Sequence, residues 1–322
     1  MATRPSTPWQ TENHLQTPDE LSALLTNLEL TARMFVAGDL CGQWTLDNRS
    51  SRQIPFHVLG SGEAWLHLDG ALPQRLSAGD LVVFSRDQRH VISSSRELRR
   101  GLGDTGSHGG YDGTTSLVCG HFSFGDRRIL LPVLDSLPPV VVLGGRGRPG
   151  GSQIKGLVSL ILNELGTLRP GFHAFINQLG LLLFIETVRE LVDQKRLRTG
   201  LLSGLFDPRL GPVLAAIHAH PGAPWTLEQL ASLAALSRSS FVGRFRSRLG
   251  LPPMKYLSLW RMSEAKRLLR KTEQSMAAIA EATGYQSEPA FRKAFRAVVG
   301  IPPGRYRACN RSLGSSNSNS PD

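Results

Sequence analysis

The stretch "GYQSEPAFRKAFRAVVGIPPGRYR", residues 284–307, decides the fold, because the chain carries it twice. Fifty residues earlier runs "LSRSSFVGRFRSRLGLPPMKYL", residues 236–257. At that offset the two share Ser237/Ser287, Phe241/Phe291, Phe245/Phe295, Arg246/Arg296 and Gly250/Gly300, then Pro252/Pro302, Pro253/Pro303 and Tyr256/Tyr306. Apolar positions match and the ones between them differ. One scaffold is built twice, with two different outer faces to present.

The segment "TLEQLASLAALSRSSFVGRF" predicts two helices in the first copy. Thr226 with Gln229 three residues on is a capping box, and Leu227, Leu230, Ala231 and Ala234 supply an apolar face. Ser237 can cap the next helix, in which Phe241, Phe245 and Leu249 recur every four residues and face a core. The second copy repeats this with Ser275, Ile279 and Ala280, the turn Gly284-Tyr285, and Ser287 capping a helix with Phe291 and Phe295 inward. Its Pro289 falls in the first turn, where a missing N–H costs little. Small residues in the short turns let each helix pair cross closely, as in a helix-turn-helix. Between the copies, "MKYLSLWRMSEAKRLLRKT" places Tyr256, Leu257, Trp260, Ala265, Leu268 and Leu269 on one connecting helix.

The charge is as uneven as the repeat. The chain has 322 residues and a net charge of +11. From Asp207 onward there are 17 Lys and Arg against 7 Asp and Glu, and the remaining residues carry 20 against 19. A cationic excess confined to the repeated third points to a polyanion, nucleic acid before a membrane surface. An apolar share of 40% is ample for folded cores, and the length suggests two domains. The longest apolar run, "LGLLLFI" at 179–185, is too short to span a bilayer, and the first twenty residues lack a signal-peptide core. Three cysteines, Cys41, Cys119 and Cys309, make a disulfide framework unexpected and fit a reducing, cytoplasmic setting.

The residues "SRSSFVGRFRSRLGLPP" (237–253), "RMSEAKRLLR" (261–270) and "IAEATGYQSEPAFRKAFRAVVGIPPGRYR" (279–307) resemble the AraC/XylS-type bacterial transcription regulators. The resemblance covers about residues 210–307. It implies two DNA-reading heads on one polypeptide, able to enter successive major-groove segments about 34 Å apart. With the phenylalanines inward, a helical wheel turns Ser239, Ser240, Gly243 and Arg246 outward in the first copy. In the second it turns Glu288, Ala290, Lys293 and Arg296 outward, with Arg292 on the flank. Outward Arg and Lys suit guanine or phosphate, and small residues allow close approach or contact with a thymine methyl. The family often has larger polar side chains where this chain has Gly243 and Ala290.

Residues 28–143 read differently. Short β-rich runs such as "RMFVAG", "QIPFHVLG", "EAWLHLDG" and "DLVVFS" alternate with Gly, Asp and Pro turns, the spacing of an antiparallel sandwich or barrel. A Gly-rich loop (93–116) and a glycine break (144–151) interrupt and end this region. "HVLGSGEAWLHLDG" and "GDLVVFSRDQRH" resemble the two motifs of cupin barrels, which imply metal-binding histidines. Leu59 stands where the first motif has its second histidine, and Ser85 and Asp87 where the second has proline and glycine. The metal triad of such barrels is therefore incomplete. The runs "CGxW", "FH", "GD…H" and "CGHF" are similar to cupin-type sensor domains fused to AraC-type heads. From that resemblance the expected metal ligands are Cys41, His57, His90 and Cys119, a Cys2His2 set of the kind that holds zinc. The alternative treats both cysteines as small buried hydrophobes. Glu63, His67 and His121 are weaker candidates.

The expectation is an α+β protein: an N-terminal cupin-like β-barrel with following helices, and a C-terminal all-α domain with two helix-turn-helix units. Residues 1–27 are expected as a flexible arm and 28–143 as a sensor. Residues 152–200 would form a helical dimerisation segment, 201–209 a linker, 210–308 the DNA-binding domain, and 309–322 a disordered tail. In the helical segment, Leu157, Leu160, Ile161 and Leu165 share one face, and Leu179, Leu182 and Leu183 another. The partners implied are double-stranded DNA, a second copy of the chain and, for an activator, RNA polymerase; the place is the cytoplasm, at the nucleoid. The signal sensed would be a small molecule, a metal or an oxidant. A metal-dependent cupin enzyme with incidental nucleic-acid affinity is the alternative, and a nucleoid-packaging protein a third reading.

Overall fold

The computed structural model describes residues 19–48, 54–86, 88–98, 114–124, 134–144 and 151–315. They divide into two compact units, one within residues 30–198 and the other of residues 19–29 and 199–315.

Among the described residues the first unit holds these strands and helices: β1 (Thr31–Leu40), β2 (Thr45–Asn48), β3 (Ile54–Ser61), β4 (Glu63–Leu68), β5 (Gln74–Ser77), β6 (Leu81–Phe84), β7 (His90–Ser93), β8 (Thr115–Ser123), β9 (Val140–Leu143), α2 (Gly151–Thr167) and α3 (Phe172–Asp193). The strands form two antiparallel sheets, β1-β8-β3-β6-β9 and β2-β7-β4-β5. Their inner faces meet in one core, with Leu59, Val82, Phe84 and Leu117 from the larger sheet against Trp44, Leu66, Leu76 and Ile92. The cupin-like domain is thus laid out as two facing sheets, and among the described residues no strand pairing closes them into a barrel.

Strand β3 explains why this region does not alternate cleanly in sequence. Six successive residues, Ile54 to Leu59, are buried, because both faces of the strand are covered. Leu59 faces the opposite sheet. Phe56 stacks on Phe122 (centroids 4.5 Å apart), which meets Phe184 of α3 edge-on at 5.1 Å. Helix α3 lies on β1, and closely. A Cβ at Gly180 would come within 2.7 Å of the Ala32 Cβ, so glycine is what permits the approach. Helix α2 buries Ile154, Val158 and Ile161 and leaves Leu160 47% exposed; α3 leaves Leu182 44% exposed. The expected faces therefore split. The inward stripe of α2 starts at Ile154, three residues before the Leu157 on which the sequence pattern was anchored.

The second unit is helical: α1 (Glu20–Leu28), α4 (Leu201–Leu205), α5 (Gly211–Ala219), α6 (Leu227–Leu233), α7 (Arg238–Leu249), α8 (Pro253–Lys271), α9 (Met276–Ala282), α10 (Glu288–Val299) and α11 (Pro303–Ser315). Helix α1 occupies most of the described part of the expected arm. Asp19 caps it by accepting from the Ser22 N–H at 2.9 Å, and Leu21 and Leu24 are buried. It packs against α5 and α8. The Glu29 carboxylate that follows it pairs with Arg270 (2.5 Å) and Lys271 (3.2 Å). The stretch 201–209 is likewise no plain linker, since α4 is helical and buries Leu201, Leu202 and Leu205. Helix α11 runs to Ser315, so the expected tail is helical at its start. Residues 1–18 and 316–322 lie outside the described residues.

Candidate nucleic-acid interface and a buried histidine chain

Each head is built by its caps. Thr226 accepts from the Gln229 N–H (3.2 Å) while its own N–H donates to the Gln229 Oε1 (2.9 Å), closing a capping box. Ser237 caps α7 through the Ser240 N–H, Ser275 caps α9 through the Ala278 N–H, and Ser287 caps α10 through the Ala290 N–H. Inside, Phe241, Phe245, Phe291 and Phe295 are all fully buried. The two pairs have nearly the same spacing, 5.6 Å in α7 and 5.7 Å in α10. The heads are not identical copies. The first helices, α6 and α9, start 49 residues apart, and the second helices, α7 and α10, start 50 apart. The turn of the second head is one residue longer.

All the residues expected to face DNA turn outward. Ser239, Ser240, Gly243 and Arg246 on α7 are exposed, as are Ala290, Arg292, Lys293 and Arg296 on α10, and Glu288 is half-buried. Glu288 and Arg292 pair one helical turn apart (2.6 Å), each partly neutralising the other. Lys293, Arg296 and Arg246 have no carboxylate partner among the described residues, which leaves three uncommitted cations on the two faces.

The sequence reading missed two arginine anchors. Arg244 of α7 donates from Nε (3.2 Å) and Nη2 (2.7 Å) to Asp207, and Arg248 reaches the same carboxylate at 3.5 Å. The Asp207 carboxylate also accepts the Arg209 and Leu210 N–H groups. Burial raises its pKa, but these donors, Arg244 first, outweigh that and hold it below the usual range. An acid embedded in a basic stretch was the available signal. The second anchor is Arg261 of α8, which donates to the carbonyls of Pro221 (2.8 Å), Ala223 (2.8 Å) and Gly284 (3.4 Å). It ties the loop leading into the first head to the turn of the second. Gly284 sits at φ +75°, and a Cβ there would lie 2.7 Å from the Arg261 Nη2.

In the β unit the structure brings together three of the four candidate ligands. His57 Nδ1 lies 3.1 Å from Cys119 Sγ, and His57 Nε2 lies 2.7 Å from His90 Nε2. Cys41 is not with them. It is exposed, its sulfur 3.9 Å from Thr114 Oγ1, just past the residue that pairs with Thr115. Four residues of strand, about 13 Å, separate that point from Cys119. The directions of the three contacts also decide the chemistry. His90 Nδ1 faces the Gln88 carbonyl at 2.8 Å and must donate to it, so neutral His90 accepts at Nε2. His57 then donates from Nε2 and accepts at Nδ1, and the Cys119 S–H donates to it. Asn48 Nδ2, 3.3 Å from His90 Nε2, adds a second donor there.

Cys119 and His90 thus approach opposite nitrogens of one imidazole, so a single ion cannot bind all three in this arrangement. Among the described residues, no group of three or more His, Cys, Asp and Glu could hold a metal. Burial, then His90, lowers His57 to about 3, and burial raises Cys119 to about 12. Phe84 stacks on His90 (3.8 Å) and closes the chain from one side. His57 and Cys119 are therefore neutral at physiological pH. As arranged they do not fit the metal that the cupin resemblance implied. The weaker candidates are separate as well. Glu63 is exposed and paired with Arg75, His67 is held by Ser93 Oγ (2.9 Å) and the Ser95 carbonyl (3.2 Å), and His121 lies near Arg33.

Paired helix-turn-helix units with capped, cationic outer helices, joined to a cupin-like β unit, define a DNA-binding regulator. The comparisons agree along the chain. A cupin family model matches residues 19–193 and a helix-turn-helix domain model residues 230–308. A putative AraC-like transcription regulator of Streptomyces lividans is 33% identical over 300 residues, covering 90% of this chain and 96% of that one. The RCS-specific activator RclR of Escherichia coli is 29% identical over 261 residues, 81% of this chain and 86% of its own. The DNA-binding domain of AdpA in complex with a target DNA is 34% identical, covers 33% of this chain and 96% of its own, and has a TM-score of 0.32. The chain belongs to the AraC-like family of transcription regulators and carries an N-terminal cupin domain. No helix among the described residues is long and apolar enough to cross a membrane.

Proposed function

We propose that this regulator binds a specific DNA site as a homodimer in the bacterial cytoplasm and that its cupin domain responds to a small organic effector. The observation that carries site-specific binding is the pair of recognition helices, α7 and α10. They are fixed to each other through Arg261 and α8 and present different outward residues on a matched phenylalanine scaffold. Dimerisation is supported by Leu160, Phe175 and Leu182, which stand 42–47% exposed on α2 and α3. An oxidant acting at Cys119 is disfavoured because that thiol is buried and protonated, whereas thiol oxidation needs an accessible thiolate. Selection of bound duplexes from random DNA tests the reading. A single consensus whose affinity falls steeply with salt is the expected outcome, and equal binding of all sequences would overturn it.

A further inference from the structure

A cleft of about 500 Å³ opens in the β unit where the edge strand β1 meets α3, lined by Leu30–Arg33, His121, Ser123, Asn177, Gln178 and Leu181. Among the described residues no carboxylate lines it. Its polar groups are mainly donors. The Met34 N–H donates to Asn177 Oδ1 (3.2 Å), which fixes that amide so that its NH2 remains free to donate. Among the described residues, Arg33 has no carboxylate partner, and the side-chain NH2 groups of Asn177 and Gln178 have no acceptor. The Arg33 guanidinium is near enough to His121 to add to the lowering that burial imposes on that imidazole, so His121 stays neutral beside it. Leu30, Ala32 and Leu181 supply apolar wall. Donors with one uncompensated cation, set against aliphatic surface at a volume typical of ligand sites, suit an organic anion and disfavour a cation or a plain hydrocarbon.

We propose that this cleft is the effector site and that it takes a small organic acid, the carboxylate at Arg33 and the hydrocarbon against Leu30 and Leu181. The inference rests on the effector-responsive reading above and adds the place and the ligand class. Occupancy would bear on α3 where it crosses β1 at Gly180, and α3 carries Phe175 and Leu182, two of the residues assigned to dimerisation. It would also fix Leu30 and Thr31, which follow directly on Glu29, the partner of Arg270 and Lys271.

The test uses the full chain and three probe pairs: hexanoate, benzoate and 2-naphthoate, each against its neutral primary amide, by titration calorimetry without DNA. At least one acid should bind tenfold or more tighter than its amide. Arg33→Gln, at an exposed strand position, should reduce that acid to the level of its amide while leaving the melting temperature unchanged. Leu181→Trp, which fills the cleft, should abolish binding of both. Equal binding of every acid and amide, no binding by any acid at millimolar concentration, or an undiminished preference in Arg33→Gln would each overturn the proposal. DNA affinity measured with and without the bound acid separates the two readings. An acid that binds through Arg33 but leaves DNA affinity unchanged keeps the site and removes its regulatory role.

Discussion

The hydrogen-bond direction along Cys119, His57 and His90 predicts how individual side chains respond to reagents and to acid. Cys41 and Cys309 are exposed and Cys119 is buried, so a thiol reagent should titrate two sulfurs of the native protein at once and the third only on unfolding. Three fast thiols would show the chain is open. His57 and His218 are each depressed to about 3, one in each unit, against about 6.5 for a free imidazole. Unfolded chains therefore take up protons first. Stability from each histidine is present above pH 6.5 and is lost as pH falls toward 3, by up to about 1.4 kcal/mol per pH unit. Denaturant unfolding of His57→Leu between pH 7.5 and 5 should show a flatter slope for the β unit than wild type; an unchanged slope would refute the assignment. Asp207→Asn should free Arg244 and Arg248 for phosphates, steepening the salt dependence of DNA binding while shrinking the ratio of specific to non-specific affinity. A lower melting temperature with no change in salt slope would make Asp207 merely structural.

Among the elements, the recognition helices were the most legible in sequence. Serine caps, phenylalanines four apart and an offset of fifty name the same inward face that the structure buries. Phe245→Ala or Phe295→Ala should therefore destabilise the DNA-binding unit by about 3–5 kcal/mol in thermal or denaturant unfolding, because removing a large buried ring leaves a cavity. The strands were legible as a class, yet β3 is buried on both faces, so its pattern could not say which side of His57 meets Cys119. Cys41 was grouped with Cys119 because residue type carries no distance. Only the register of β1 with β8 separates them. Helix α1 was missed because a twenty-residue polar opening masks a short amphipathic helix of about two and a half turns, and α1 is stable through its contacts with α5 and α8 more than through propensity.

For the whole molecule, the units do not follow the order of the chain. Helix α1 precedes every strand in sequence and yet packs in the DNA-binding unit, with Leu24 fully buried there. Leu24→Ala should then lower the stability of the helical unit by about 2–5 kcal/mol, and that of the β unit little. Unfolding followed separately in the two units reads this out, and loss confined to the β unit would contradict the packing. Leu160→Asp with Leu182→Asp should turn a sedimenting dimer into a monomer, and persistence of the dimer would move the subunit contact elsewhere.

The placement of α1 also bears on how such regulators could exchange parts. The cupin match begins at residue 19 and so claims α1 for the sensor, whereas the fold gives it to the reader of DNA. A recombination that swaps sensors at the glycine-rich joint after β9 would carry away the native α1 and bring in another regulator's version. The incoming segment would need leucines to match α5 and α8 and an acid to meet Arg270. Hybrids of this kind should therefore regain function by second-site changes in α8, far along the gene from the crossover that created them.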